Sequence, residues 1–372
     1  MPMTRPRWIA AASIAAGIAL LAALVAFTPW RLLAQRVATV PWQGWVGATL
    51  GMSATYALRA GRLRVEWLWK LRTLGLGYRE CLQITLLHNA AINLLPMRSG
   101  EASYAFLLHR RWGVGLGDAA ASLLWLRLQD AMVLGVLGLA ILVPAPLAWR
   151  IGFALATIVV AATVLPVLVR RVHVHARYAR ARAHAPAGHD DPCSLRSSPP
   201  TGAVRLAPER PRARRMTRAG KLWHLVAKIA GAFRASRGGW RAWSYAVANW
   251  VLKLGIVGAL LAPLANLPYG SAFAGALGGE LAAVLPLQAP AGVGTYEAGV
   301  AAGAQVRNGA PEGSAIAPSA PDAQTASTNT HNARLIFGAA LAVHALMVAV
   351  ALATALAFSL IVRPSRTPES ST

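Results

Sequence analysis

Charged residues are scarce in this sequence, and acidic residues are the scarcest of them. Only 13% of its 372 residues are charged, whereas soluble domains carry about 25%. The 13 Asp and Glu residues are outnumbered by 37 Lys and Arg, and 56% of the chain is hydrophobic. This composition excludes an ordinary soluble protein and indicates an all-α, polytopic bundle of transmembrane helices.

Cysteines are nearly absent, and recognisable catalytic motifs are missing. Cys81 and Cys193 show neither Cys-x-x-Cys nor metal-ligand spacing, so we predict no disulfide and no zinc site. The sequence has no G-x-S-x-G elbow, no Walker A loop and no cluster of metal ligands. The pair Gly292-Val-Gly294 is too short to indicate a nucleotide site. We therefore expect no catalytic residues, no metal, no cofactor and no enzymatic activity.

The excess of basic residues gives a formal net charge of +24. These residues lie between and outside the apolar runs, as the positive-inside rule and attraction to an anionic leaflet require. The distribution argues against nucleic acid as a partner and in favour of a membrane surface.

Apolar runs long enough to cross a bilayer, about 20 residues, occur six times. The first is longer than a signal-peptide core and is followed by no clean cleavage site, so we interpret it as a retained helix. The candidate full spans are residues 8–28, 42–58, 118–143, 149–169, 240–263 and 335–362.

Two shorter apolar stretches, residues 81–95 and 271–286, each end at a Leu-Pro pair and continue through glycine to a Glu. Proline lacks an N–H, and glycine loosens the backbone. Broken backbone at membrane depth is tolerated only in protein or beside a wet cavity. We therefore predict two re-entrant broken helices, near 81–110 and 271–303, with helix-break residues Pro96, Gly100, Pro286, Pro290, Gly292 and Gly294.

The basic residues also predict the orientation. Arg110 and Arg111 follow the first break, residues 170–237 are rich in Arg, and a third group occupies one connection: Arg59, Arg62, Arg64, Lys70, Arg72 and Arg79. All three groups fall on the cytoplasmic side if the first break enters from that face, and both termini are then cytoplasmic. The second break enters from the opposite face, which suggests an inverted repeat.

The predicted organisation has two membrane halves. They are residues 1–169 and 240–362, the second with a polar loop at 304–333, separated by a basic cytoplasmic loop at 170–239 and followed by a cytoplasmic tail at 363–372. Within the loops, we expect disorder at 184–218 and a flexible segment at 309–330, because both have few large apolar residues. Residues 221–233 have the pattern of an amphipathic surface helix.

Several charged residues lie within apolar segments, where each costs on the order of 2.5–3.5 kcal/mol. Arg127 and Asp130 are three residues apart on one helix face, so we predict an ion pair between them. It either lines a polar path or only locks helix packing. Glu101 and Glu297 either pair with cations or carry protons, and Glu101 alternatively caps a helix. His88 and His344 are left outside the path. The candidate path residues are Asn93, Arg98, Glu101, Arg127, Asp130, Lys253, Glu280 and Glu297.

The motifs resemble a known family. Asn93-Leu-Leu-Pro-Met-Arg-Ser-Gly-Glu101, Arg127-x-x-Asp130 and Pro290-Ala-Gly-Val-Gly-Thr-Tyr-Glu297 are similar to the membrane domain of lysylphosphatidylglycerol synthases and to the stand-alone flippase-like proteins grouped with it. The resemblance implies an inner-membrane protein with two re-entrant segments that moves a lipid between leaflets. Aminoacyl-transferring members have a further soluble domain that this sequence lacks. Tyr296 also replaces the family's usual Arg before Glu297.

The leading hypothesis is therefore a flippase of the bacterial inner membrane, working by alternating access on an anionic or isoprenoid-type lipid. Its partners would be membrane lipids. The alternative is a scaffold or accessory subunit of an envelope-lipid biosynthetic enzyme, with residues 170–237 as its docking arm.

Overall fold

The computed structural model describes residues 26, 28–74, 77–142, 146, 148–149, 152–153, 156, 239–284, 290–308 and 323–361. Every regular element in these ranges is helical, which confirms the predicted all-α class. The α-helices are α1 (Trp30–Thr39), α2 (Trp42–Leu74), α3 (Tyr78–Leu94), α4 (Ala102–Trp112), α5 (Leu116–Leu142), α6 (Gly239–Ala265), α7 (Tyr269–Ala282), α8 (Thr295–Asn308) and α9 (Ala323–Ile361).

Three described helices are long and apolar enough to cross a bilayer: Leu116–Leu142, Trp240–Ala265 and Asn332–Ile361. They agree with the predicted spans at 118–143, 240–263 and 335–362. The predicted spans at 8–28 and 149–169 lie almost wholly outside the described residues, as do segments 184–218 and 221–233.

The predicted span at 42–58 is only the first half of a longer helix. α2 runs for 33 residues, from Trp42 to Leu74, a length of about 50 Å. The prediction that Arg59 and Arg62 lie in a connection is therefore wrong. The end of the apolar run does not end the helix, because these two side chains find polar partners inside the protein.

The first predicted helix break is present, and we call residues 95–101 the first break. α3 ends at Leu94, Leu95 is extended (φ −95°, ψ 135°), and a 3-10 helix spans Pro96–Glu101. α4 then packs back against α3, with His88 Nδ1 3.0 Å from Ser103 Oγ. A Cβ on Gly100 would overlap the backbone of Ala91 and Ile92, so this turn requires glycine. Re-entry into a membrane stays a prediction.

The second break comprises residues 283–294, of which 285–289, and hence Pro286, lie outside the described ranges. A short 3-10 helix spans Pro290–Gly292, and φ is positive at Ala291 (58°), Gly292 (80°) and Gly294 (87°). Positive φ strains residues other than glycine. The sequence therefore places glycine at two of these three positions, and α8 begins directly afterwards.

α7 and α8 form a tightly packed hairpin. Gly278 on α7 faces Gly299 and Gly303 on α8, and a Cβ at any of the three would overlap backbone of the other helix. Small residues spaced four apart let helix backbones approach closely. The close approach of α7 and α8 therefore depends on these three glycines.

The flexible segment predicted at 309–330 is described only in part, because residues 309–322 lie outside the described ranges. α8 continues to Asn308 and α9 begins at Ala323, so residues 323–330 belong to a helix. α9 then packs against α3, α6 and α8. The centre of this packing consists of fully buried aliphatic side chains, among them Leu261, Leu264, Leu277, Val300 and Val343.

Candidate functional site

A cavity of about 780 Å³ lies where the two breaks meet. It is bounded by α2, α3, α4, α5, α6, α7 and α9, with one residue of α8. Its walls are mainly apolar, but three cations and three carboxylates also line it: Arg59, Arg127, Lys253, Glu101, Asp130 and Glu280. The volume is within the roughly 300–1,000 Å³ typical of small-molecule sites.

Six of the eight predicted path residues line this cavity: Asn93, Glu101, Arg127, Asp130, Lys253 and Glu280. Glu297 lies behind the wall with none of its surface exposed. Arg98 belongs to the 3-10 helix of the first break, and its side chain lies outside the described part of the chain.

Asp130 has its closest ion pair with a different helix from the one predicted. Arg62 Nη1 on α2 lies 2.6 Å from Asp130 Oδ1, whereas Arg127 Nη1 is 4.0 Å from Oδ2. Trp250 Nε1 also donates to Oδ1, at 2.9 Å. The carboxylate therefore ties α5 to α2 and α6, and the predicted Arg127–Asp130 pair is only a secondary contact.

Arg62 is almost completely buried, and neutral groups complete its coordination. Its Nη2 donates to Gln129 Oε1 at 2.6 Å and to the Leu126 carbonyl at 2.7 Å. Gln129 Nε2 in turn donates to Glu66 Oε1 at 2.8 Å. Buried charges require such hydrogen bonds, and these bonds lock α2 to α5.

Glu101 joins the first break to α5. Arg127 Nη2 lies 2.8 Å from Glu101 Oε1, and Arg127 Nε donates to Oε2 at 3.3 Å. The alternative capping role for Glu101 is wrong, because its side chain makes no cap hydrogen bond at the start of α4. His88 Nε2 lies 3.8 Å from Oε2, beside the same carboxylate.

Lys253 and Glu280 form the corresponding contact in the second half of the chain. Lys253 Nζ on α6 lies 2.7 Å from Glu280 Oε1 on α7, and only 4% of Glu280 is exposed. The ammonium also lies 5.4 Å from the centre of the Trp250 ring. A cation close to an indole face gains further attraction, which helps stabilise the Lys253–Glu280 pair in the cavity wall.

Glu297 caps α8 and binds a histidine that sequence reasoning left out. The Gly294 N–H donates to Glu297 Oε2 at 2.6 Å, and His344 Nδ1 lies 2.7 Å from Oε1. His344 itself lines the cavity. Glu101 at the end of the first break and Glu297 in the first turn of α8 therefore each have a histidine from another helix beside them.

Arg59 lines the cavity but was not among the predicted site residues. Its Nε donates to Asn249 Oδ1 at 3.1 Å and its Nη1 to Asn89 Oδ1 at 2.8 Å. Helical spacing in the sequence could have identified Arg59 as a cavity residue. Met52, Tyr56 and Arg59 recur at intervals of four and three residues and so share a helix face, and all three line the cavity.

The family model described as the lysylphosphatidylglycerol synthase TM region matches residues 11–320. No curated protein and no solved structure matches the chain.

Proposed function

Because this chain belongs to the family of lysylphosphatidylglycerol synthase TM regions, we propose that it is an inner-membrane flippase for a polar-headed lipid. The proposed activity is movement between leaflets, without covalent chemistry. The cargo class is an anionic or isoprenoid-type lipid, and membrane lipids are the partners.

The observation that carries this proposal is the charged cavity. Three cations and three carboxylates line it within otherwise apolar walls. Ionisable groups at membrane depth are expensive and mark polar pathways. A lipid needs both kinds of surface at once, because its head group must stay solvated by polar groups while its tails stay in apolar surroundings.

The proposed cycle uses the ion pairs as movable contacts. Arg127–Glu101 joins α5 to the first break, and Lys253–Glu280 joins α6 to α7 just before the second break. A lipid head group that replaces one partner of an ion pair would free the adjacent break to move. Releasing the two breaks alternately would expose the cavity to one leaflet and then to the other, provided that they enter from opposite faces, with both termini cytoplasmic.

Leaflet exchange in liposomes tests the proposal. Purified protein is reconstituted with fluorescent phosphatidylglycerol, and dithionite quenches the outer-leaflet probe. The wild type should exchange the probe, whereas Arg127→Gln and Lys253→Gln should slow exchange by about tenfold or more, since a charge-assisted hydrogen bond contributes roughly 1.5–3 kcal/mol. Arg110→Gln, which changes an exposed arginine on α4, is the matched control and should exchange normally.

A wild-type rate equal to that of protein-free liposomes, for both phosphatidylglycerol and an isoprenoid-linked phospholipid, would contradict the flippase. Recovery of an envelope-lipid enzyme with the inactive protein would then favour the scaffold hypothesis.

A further inference from the structure

We propose that Arg59 is the residue that binds the phosphate of the lipid head group, an assignment that rests on the proposed function. Arg59 was predicted to lie in a cytoplasmic connection, yet it lines the cavity from α2. Its role follows from a comparison with the other two cations described around the same space.

Those two cations already have carboxylate partners. Arg127 contacts Glu101 at 2.8 Å, and Lys253 contacts Glu280 at 2.7 Å. An anionic ligand would have to displace a carboxylate to bind either of them. The charge that each offers to a ligand is therefore largely neutralised in this state.

Arg59 differs in the chemistry of its neighbours. Among the described residues, its hydrogen-bond acceptors are the side-chain amide oxygens of Asn89 and Asn249, and no described carboxylate lies within 4.0 Å of its nitrogens. These amides use one N–H on Nε and one on Nη1. No described side chain accepts from Nη2, so the guanidinium keeps hydrogen-bond donors for a ligand, and no described carboxylate forms an ion pair with it.

The guanidinium is also held in place before any ligand binds. Asn249 is 2% exposed, and the Arg59 guanidinium carbon lies 5.8 Å from the centre of the Trp250 ring. Asn89 is itself fixed through its Nδ2, which donates to the Thr85 carbonyl at 2.7 Å. A pre-positioned arginine loses little side-chain entropy on binding.

A phosphate fits this arrangement better than the alternatives. The N–H groups that remain on Nη1 and Nη2 can donate to phosphate oxygens, and such bonds are charge-assisted. A neutral lipid would leave the charge of Arg59 unused. The Asp130 carboxylate also lines the cavity, but it is already bound by Arg62 at 2.6 Å and by Trp250 at 2.9 Å.

Binding to the full-length protein in detergent tests the assignment without requiring translocation. The probes are dihexanoyl phosphatidylglycerol, dihexanoylglycerol with the same tails but no phosphate, and inorganic phosphate. We expect Arg59→Gln to weaken phosphatidylglycerol binding about tenfold or more and to leave dihexanoylglycerol binding unchanged. Arg64→Gln, an exposed arginine on the same helix, should change neither.

Unchanged phosphatidylglycerol binding by Arg59→Gln would overturn the proposal. So would inorganic phosphate binding as tightly as phosphatidylglycerol, because the site would then recognise free phosphate. If Arg59→Gln also loses dihexanoylglycerol, Arg59→Lys decides. A retained preference for phosphatidylglycerol supports the assignment, and equal affinity for the two lipids overturns it.

The two proposals fail separately. Arg59-dependent binding without leaflet exchange would contradict the flippase and support Arg59 as a phosphate-binding residue. Leaflet exchange combined with Arg59-independent binding would contradict only the assignment of Arg59.

Discussion

Charged side chains around the cavity find their closest partners on other elements rather than on their own helix. Spacing of three residues predicted an Arg127–Asp130 pair, but that contact is 4.0 Å long. Arg62 approaches Asp130 to 2.6 Å from α2. Residues on one helix face must reach along the helix to meet, whereas a residue on a facing helix points directly at its partner.

The sequence identified charged residues at membrane depth but could not pair them. Depth follows from counting residues along an apolar run, so Arg127, Asp130 and Lys253 stood out. Pairing depends on which helices are neighbours, and local sequence patterns do not show which helices pack together. Arg59 was missed for a related reason, because a basic residue at the end of an apolar run also fits the positive-inside rule.

Arg62 and Asp130 should be energetically coupled. Asp130→Asn leaves the buried Arg62 charge without its ion partner, so we expect the free energy of unfolding to fall by about 3 kcal/mol, the low end for a buried pair, because Asp130 faces the cavity. Unfolding in mixed micelles with increasing dodecyl sulfate measures this. Arg64→Gln on the exposed face of α2 should change stability by no more than about 0.5 kcal/mol.

The coupling energy is measured by comparing the double variant Arg62→Met/Asp130→Asn with the single variants Arg62→Met and Asp130→Asn. The double variant should be less destabilised than the sum of the single variants, because neither charge is then left alone. Strict additivity would contradict the coupling.

Breaks in helices were the elements that the sequence predicted best. Proline removes a donor and glycine adopts positive φ, so Pro96, Gly292 and Gly294 mark their turns by local chemistry alone. The length of α2 was not predictable in this way. Whether a helix continues past its apolar run depends on partners such as Gln129 and Asn249, which lie far away in sequence.

Close packing of α7 on α8 should depend on Gly278. A Cβ there would overlap the Gly299 carbonyl, and overpacking of this kind costs about 1–3 kcal/mol. Gly278→Ala should therefore lower the thermal unfolding midpoint in detergent. Gly255→Ala on α6 is the matched control, since a Cβ there meets nothing within 4 Å, and it should keep or raise the midpoint. Equal midpoints for the two variants would contradict the close approach.

At the scale of the whole molecule, residues from both halves of the chain build one cavity. Arg59, Glu101, Arg127 and Asp130 come from the first half, and Lys253 and Glu280 from the second. The sequence predicted two breaks and a set of charged path residues. It did not show which cations would be neutralised there and which would face a ligand, because that depends on distances between helices.

If lipid passes through this cavity, blocking the cavity should stop leaflet exchange. Ala120 on α5 lines the cavity, whereas Leu128 on the same helix is exposed but outside the lining. The two test variants are Ala120→Cys and Leu128→Cys. Each cysteine is introduced into a chain with Cys81→Ala and Cys193→Ser, alkylated in detergent with a bulky maleimide, reconstituted and assayed for leaflet exchange. If lipid passes through the cavity, alkylation should stop exchange at position 120 and leave it unchanged at position 128. Full exchange by protein alkylated at position 120 would contradict lipid passage through the cavity.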